Sequence, residues 1–125
     1  MVARILIVDD NPMNLKLARL LVLSLGHVAE VADGAVSALH RLEDLIPDAI
    51  LVDLQMPDID GLELTRRLKG DPRTAHIPVV ALTAAAMAGD RERALAAGCD
   101  GFIPKPLDTR RFGEDLAPFL TERAA

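Results

Sequence analysis

Residues with charged or hydroxyl side chains follow the short apolar runs of this sequence. They are Asp9 and Asp10 after Ile5–Val8, Asp53 after Ala49–Val52, Thr83 after Pro78–Leu82, and Lys105 after Gly101–Ile103. Turns that only had to reverse the chain would mainly use glycine, asparagine and serine at such points. Three carboxylates opposed by one lysine therefore indicate a chemical site.

The residue types favour phosphoryl-transfer chemistry. Three carboxylates in one cluster repel one another unless a cation lies among them. Hard oxygen ligands in a small open cluster suit Mg²⁺, with Mn²⁺ as an alternative, because Mg²⁺ keeps several waters and binds few carboxylates directly. Lys105 would add a compact positive charge, and Thr83 a hydroxyl donor for an incoming oxygen. A carboxylate nucleophile completes the set, and an aspartyl phosphate is a covalent form of this chemistry.

Each of these residues also has an ordinary structural explanation. An aspartate after a strand is commonly a turn former or a helix N-cap. Thr83 alone would suit a cap for the next helix, and Lys105 alone would suit a solvated surface. The joint arrangement at four strand ends is what favours a functional site.

The elements that must position these residues alternate along the chain. The predicted strands cover 5–8, 27–31, 49–52, 78–82 and 101–103, and the predicted helices cover 12–25, 34–46, 61–68, 87–97 and 109–120. Pro12 suits the first turn of a helix, and Gly26 and Gly98 suit helix ends. Strict alternation predicts an α/β domain whose parallel sheet is covered by helices on both faces. In such sheets ligands bind beyond the carboxyl ends of the strands.

Size and composition narrow the class of protein. The 125 residues, half of them apolar, predict a single domain, 1–125, with a core of about 4–120. The net charge of −5 and the lack of Trp and Tyr disfavour direct nucleic-acid binding. No apolar run is long enough for a membrane span, and the start shows no signal-peptide pattern. Cys99 is the only cysteine, so we expect no intrachain disulfide and a cytoplasmic location. Because it precedes the fifth predicted strand, we also expect its thiol to be buried.

Four stretches of the sequence form a specific set of motifs. They are 5–11 (ILIVDDN), 50–57 (ILVDLQMP) with Asp60-Gly61 behind it, 78–84 (PVVALTA) and 98–106 (GCDGFIPKP). At these residues the chain resembles the response-regulator receiver family of two-component signalling, over nearly its whole length. Within that family it is most similar to single-domain receivers of the DivK kind. The resemblance implies a flavodoxin-like (βα)5 fold with strand order 2-1-3-4-5.

The resemblance also implies a role for each residue of the acidic cluster. Asp53 would accept a phosphoryl group from a phosphohistidine on a histidine kinase or a histidine phosphotransfer protein. Asp10, Asp53 and the backbone carbonyl of Gln55 would ligate Mg²⁺, with Asp9 acting through a metal-bound water. Lys105 would pair with the phosphoryl group.

The resemblance also implies a switch that involves Thr83 and Phe102. Thr83 would move toward a phosphoryl oxygen, and Phe102 would turn inward to fill the space that Thr83 leaves. The surface of the fourth helix, fifth strand and fifth helix would change with them. The implied protein is a signalling switch that assists its own phosphorylation and dephosphorylation, and not an enzyme in the usual sense.

The first helix is apolar nearly all round, which indicates burial or binding. A helical wheel places Asn14, Leu17, Ala18, Leu21 and Leu25 toward the sheet. Leu20 and Leu23 fall well away from that face. These two leucines would extend a surface that binds a partner protein, form a homodimer interface, or be ordinary surface leucines. In the last helix, the spacing of Phe112, Leu116 and Phe119 predicts core positions.

The docking surface itself comes from the resemblance. The start of the first helix would contact the helical bundle that carries the phosphohistidine. The implied contacts are Asn11, Met13, Asn14 and Leu17, together with Pro106.

Two other function classes fit a parallel sheet of this kind. A Mg²⁺-dependent phosphohydrolase with an aspartate nucleophile requires a second acid two residues further on as proton donor. This chain has Gln55 at that position. A flavodoxin-like nucleotide binder needs a glycine-rich phosphate cradle, which the turn at 10–12 does not offer. Both are disfavoured, and purification without a yellow chromophore and without turnover of small phosphate esters would exclude them.

Overall fold

The structure is a computed structural model that describes residues 2–54, 56, 60–83, 89–105 and 107–124. Within these residues the strands are β1 (Arg4–Val8), β2 (Val28–Ala32), β3 (Ala49–Asp53), β4 (Val79–Thr83) and β5 (Gly101–Pro104). The helices are α1 (Pro12–Ser24), α2 (Ala35–Asp44), α3 (Gly61–Gly70), α4 (Asp90–Ala97) and α5 (Phe112–Ala124). All strand pairs are parallel and the order is β2-β1-β3-β4-β5. The predicted fold class and strand order are confirmed.

The central strands bury both of their faces. Alternate residues of a strand point to opposite sides of a sheet. Leu6 and Ile50 accordingly join the core beneath α2, α3 and α4, while Ile5 and Leu51 join the core beneath α1 and α5. Each such side chain contributes about 1.5–3 kcal/mol when it leaves water. These two layers cover both faces of the sheet, whose strands all end at the same edge.

The face of α1 that meets the sheet differs from the predicted one. Ala18, Leu21 and Val22 are buried, whereas Leu17 and Leu25 are 38% and 41% exposed. The prediction was right for Ala18 and Leu21 and wrong for Leu17 and Leu25. Apolar residues occur on all sides of α1, so the sequence pattern alone defines no single buried stripe. Packing against the neighbouring elements selects the stripe instead.

Helix α5 begins three residues later than predicted. Asp108 Oδ1 accepts a hydrogen bond from the Arg110 amide (2.9 Å), and the Asp108 carbonyl accepts one from the Phe112 amide (2.9 Å). Residues 109–111, which were predicted to be helical, therefore form a turn that the Asp108 side chain stabilises. Phe112 and Leu116 are buried and Phe119 packs against the same core, as predicted. The predicted start of α4 at Met87 lies outside the described residues.

A lysine network closes the sheet edge opposite the acidic residues. Lys69 Nζ donates to the carbonyl of Ile77 (2.9 Å) and to Asp100 Oδ2 (2.9 Å). The same carboxylate oxygen accepts from the amide of Val79 (2.8 Å). Lys69 thus ties α3 to the start of β4 and β5, remote from the carboxyl ends.

Cys99 lies two residues before β5 and is buried, as predicted, with 5% exposure. Its Sγ lies 3.7 Å from the hydroxyl of Thr65 on α3. Burial raises the pKa of the Cys99 thiol above its ordinary value, so the thiol stays protonated at neutral pH. None of the helices in the described part of the chain has the length and apolar character needed to cross a bilayer.

Candidate functional site

Three carboxylates meet where β1 and β3 end. These strands are neighbours and pair Val8 with Val52, so Asp9 and Asp53 emerge at the same edge. Asp9 and Asp53 are 1% and 7% exposed, whereas Asp10 is exposed. One carboxylate oxygen from each of the three lies within 4.8 Å of the others. The acidic residues that the sequence singled out are therefore one cluster.

Lys105 reaches into this cluster from β5. Its Nζ lies 3.1 Å from Asp9 Oδ2 and 3.4 Å from Asp53 Oδ1, and its side chain is 14% exposed. The Lys105 amide donates to the carbonyl of Thr83 (2.9 Å), which extends the β4–β5 ladder by one residue beyond Pro104. This bond fixes the point at which the lysine leaves the strand. Lys105 is thus a partner of two buried carboxylates and not a solvated surface lysine.

Thr83 and Phe102 lie on the same face of the sheet. Thr83 pairs with Pro104 and Ala81 pairs with Phe102, and all four are in parallel register. Paired residues of parallel strands point to the same side. Both Thr83 and Phe102 are half-buried, and Phe102 packs against the core beneath α2, α3 and α4. The small side chain of Ala81 is the immediate neighbour of the Phe102 ring position.

Asn11 connects α1 to the cluster, a role that sequence reasoning missed. Its backbone amide donates to Asp9 Oδ1 (2.9 Å). Its side-chain oxygen accepts from the amides of Met13 (2.9 Å) and Asn14 (3.3 Å) and caps the helix. The signal was an asparagine directly before Pro12, which is the usual sequence of an N-cap and first turn. Each oxygen of the Asp9 carboxylate therefore has a partner, Asn11 or Lys105.

The start of α1 presents an exposed apolar surface next to the cluster. Met13 is 75% exposed, and Leu17, Leu20 and Leu23 are 38%, 52% and 41% exposed. Asn11 is exposed as well, and Asn14 is half-buried. A cavity of about 70 Å³ separates this surface from the cluster and is lined by Asp9, Asn14, Leu17, Leu82, Lys105 and Leu107. The remaining implied contact, Pro106, lies outside the described residues, as does Gln55.

The donor set suits a hard divalent cation. The three carboxylates and the Lys105 ammonium carry two more negative charges than positive ones. One divalent cation would balance that excess, and the described donors are all oxygens, which Mg²⁺ prefers. Exposed Asp10 and the cluster-facing side of Asp53 would hold the ion directly. Asp9, already engaged through both oxygens, suits contact through a water.

Comparison with known proteins gives a consistent picture. Residues 5–117 match the family described as response regulator receiver domain. The polar-differentiation response regulator DivK of Brucella ovis is 41% identical over 120 residues, which cover 96% of this chain and 98% of that protein.

Solved structures agree with this match. The receiver domain of a sensor histidine kinase from Pseudomonas aeruginosa, solved with a magnesium ion coordinated in its active site cleft, superposes with a TM-score of 0.88. It shares 31% identity over 97% of this chain and 99% of that one. The Vibrio cholerae chemotaxis protein CheY4 gives a TM-score of 0.90 at 22% identity, over 96% of this chain and 100% of that one, which supports the fold.

Proposed function

We propose that this chain, which belongs to the response regulator receiver family, is a phosphoacceptor whose covalent carrier is Asp53. The observation that supports this most strongly is the pairing of the Asp53 carboxylate with Lys105 at 3.4 Å inside a cluster of three acids. Asp53 is 7% exposed, and a donor would reach it through that small accessible part of the residue. Its role is that of a signalling switch.

The proposed step transfers a phosphoryl group from a phosphohistidine of a histidine kinase or phosphotransfer protein. A carboxylate oxygen of Asp53 forms the new P–O bond as the P–N bond to the imidazole breaks. The electron pair of that bond stays on the imidazole nitrogen, which then takes up a proton. Because such transition states are loose, positioning and charge stabilisation by the protein supply most of the catalysis.

Asp10, Asp53 and the Gln55 carbonyl would hold Mg²⁺, with Asp9 beyond a bound water. When bound, the ion would offset the negative charge that an incoming phosphoryl group brings to the cluster. Lys105 would exchange a carboxylate partner for a phosphoryl oxygen. It is placed for this exchange because its ammonium group already lies within 3.4 Å of the carboxylate that becomes modified.

Thr83 and Phe102 would report the modification to the surface. The Thr83 hydroxyl would donate to a phosphoryl oxygen, and the Phe102 ring would turn toward the space behind it. Their common face of the sheet and the small Ala81 beside Phe102 support such a coupled movement. The surface of α4, β5 and α5 would then favour a different partner, as expected for a two-state switch.

The phosphoryl donor would dock on the start of α1. Asn11 donates to Asp9, and Asn14 and Leu17 line the cavity beside the cluster, which supports this placement. Met13 is exposed on the same helix. Pro106 would complete the surface. The exposed Leu20 and Leu23 would extend it along the same helix.

Incubation with acetyl phosphate and Mg²⁺ tests the proposal, with Asp53→Asn as the matched control. We expect the wild-type chain to gain one phosphoryl group that hydroxylamine removes, and Asp53→Asn to gain none. Absence of a hydroxylamine-sensitive phosphate on the wild type would refute the acceptor role. Steady turnover of small phosphate esters would instead favour a phosphohydrolase.

A further inference from the structure

Gly61 lies against the backbone of the phosphoacceptor. It is the first residue of α3 and is buried, and Asp60 caps the helix by accepting from the Glu63 amide (2.8 Å). A methyl group on the Gly61 Cα would overlap the Asp53 carbonyl oxygen and would lie 2.7 Å from the Cα of Leu54. Both obstacles are main-chain atoms, so no side-chain rotation can relieve them. Only glycine lets α3 approach the end of β3 this closely.

Two hydrogen bonds hold Gly61 in this position. Its amide donates to the carbonyl of Leu54 (3.1 Å), the residue that follows Asp53. Its carbonyl accepts from the hydroxyl of Thr65 (2.7 Å), which is fully buried. A buried hydroxyl has few other partners, so this bond is expected to persist. Thr65, Gly61 and Leu54 therefore form a continuous support for the end of β3.

We infer that Gly61 is a positioning residue that sets the metal affinity of the Asp53 site, with Thr65 as its support. This inference rests on the proposed function. The Asp53 carboxylate must keep its distance to Lys105 and to the other two acids for one cation to be shared among them. A shift of the Asp53–Leu54 backbone moves that carboxylate and the chain leading to Gln55 together. Loss of outer contacts that orient a metal ligand typically weakens metal binding by about 10–100-fold.

Gly70 provides a matched control on the same helix. A Cβ at Gly70 would meet nothing within 4 Å, whereas one at Gly61 meets backbone. Alanine is the better helix former at both positions. Helix propensity alone therefore predicts the same effect for Gly61→Ala and Gly70→Ala, and only the close approach to Asp53 distinguishes them.

The experiment is a Mg²⁺ titration of the full chain, followed by calorimetry and by amide NMR shifts, with thermal unfolding measured in parallel. We expect Gly61→Ala to weaken Mg²⁺ binding about tenfold or more while Gly70→Ala binds as the wild type does. Wild-type affinity in a folded Gly61→Ala chain would overturn the inference. Absence of Mg²⁺ binding by the wild type would overturn the proposed function as well, so the two failures are distinguishable.

A Thr65 pair decides the matter if Gly61→Ala does not fold. Thr65→Val keeps the shape and removes the hydroxyl, and Thr65→Ser keeps the hydroxyl. We expect weaker Mg²⁺ binding for Thr65→Val and recovery for Thr65→Ser. Equal affinity of Thr65→Val and wild type would overturn the inference, and so would failure of Thr65→Ser to recover it.

Discussion

Replacing Lys105 by methionine should destabilise the metal-free chain and leave the Mg²⁺-bound chain much less affected. Methionine keeps most of the aliphatic stem of lysine and removes the charge. The Lys105 ammonium lies 3.1 Å from Asp9 and 3.4 Å from Asp53, which are 1% and 7% exposed. The substitution leaves those two buried carboxylates facing each other and Asp10 without a cation.

The size of the effect follows from the burial of the pair. Removing one partner of a buried ion pair typically costs 3–5 kcal/mol, and we take about 3 kcal/mol because Lys105 retains 14% exposure and water screens it in part. For a chain of 125 residues this corresponds to a fall in Tm of about 10 °C. Mg²⁺ should recover most of the loss, because a bound cation supplies the missing positive charge. The variant should also gain more stability from Mg²⁺ than the wild type does.

Urea unfolding of both chains, in EDTA and in saturating Mg²⁺, measures these four free energies. Lys69→Met is the control, because Lys69 also pairs with a carboxylate, at 2.9 Å, but at the opposite edge of the sheet. It should destabilise the chain by an amount that Mg²⁺ does not change. Equal Mg²⁺ increments for Lys105→Met and the wild type would refute the reasoning. So would a Lys105→Met chain as stable as the wild type in EDTA.

Three further predictions concern other parts of the fold. Gly101→Ala should lower the unfolding free energy by about 1–3 kcal/mol, because the added methyl would overlap the Phe119 ring; an unchanged urea midpoint would contradict this. Cys99 should resist alkylation in the native chain at neutral pH and react fully in urea, because burial raises the pKa of its thiol; rapid native labelling, read by mass spectrometry, would argue against it. Alanine at both Leu20 and Leu23 should change stability by only about 0.5 kcal/mol each, because both are half-exposed, yet weaken kinase binding. Sedimentation would reveal a homodimer seam instead, and unchanged behaviour in both assays would leave them as plain surface leucines.

The fold could be predicted from the sequence because one pattern, a short apolar run followed by a helical stretch, occurs five times along the chain. Buried strands of a parallel sheet are continuous apolar runs, and glycine or proline marks most of their ends. The orientation of α1 could not be predicted in full, since Leu17 and Leu25 are as apolar as Leu21. The start of α5 could not be predicted either, because a turn built on Asp108 satisfies the same amides that a further helical turn would satisfy.

Some features of the candidate site could likewise be predicted from the sequence, and others could not. Asp9, Asp53 and Lys105 were predictable because their residue types are unusual at strand ends, and the sheet brings such ends together. The support from Gly61 was not predictable as a contact, since Asp60-Gly61 also reads as an ordinary helix start. The hydrogen bond from Asn11 to Asp9 had the same limit. Residue types that can do chemistry are identifiable from the sequence, whereas the backbone contacts that position them are seen only in the structure.

The charge balance of the site indicates which strands would move in the proposed switch. Three carboxylates share one ammonium group, and Lys105 lies close to both Asp9 and Asp53. In the proposed function, a divalent cation would offset the excess negative charge, and a phosphoryl group on Asp53 would restore part of it at a position further from the strand. Lys105 and the Thr83 hydroxyl are the described donors at the ends of β5 and β4 that can follow that charge outward. In the proposed switch, movement of these two groups would act on the β4–β5 pair, which also carries Phe102. We therefore expect rearrangement at β4 and β5 and little change at β1, where the Asp9 amide donates to the carbonyl of Ala32.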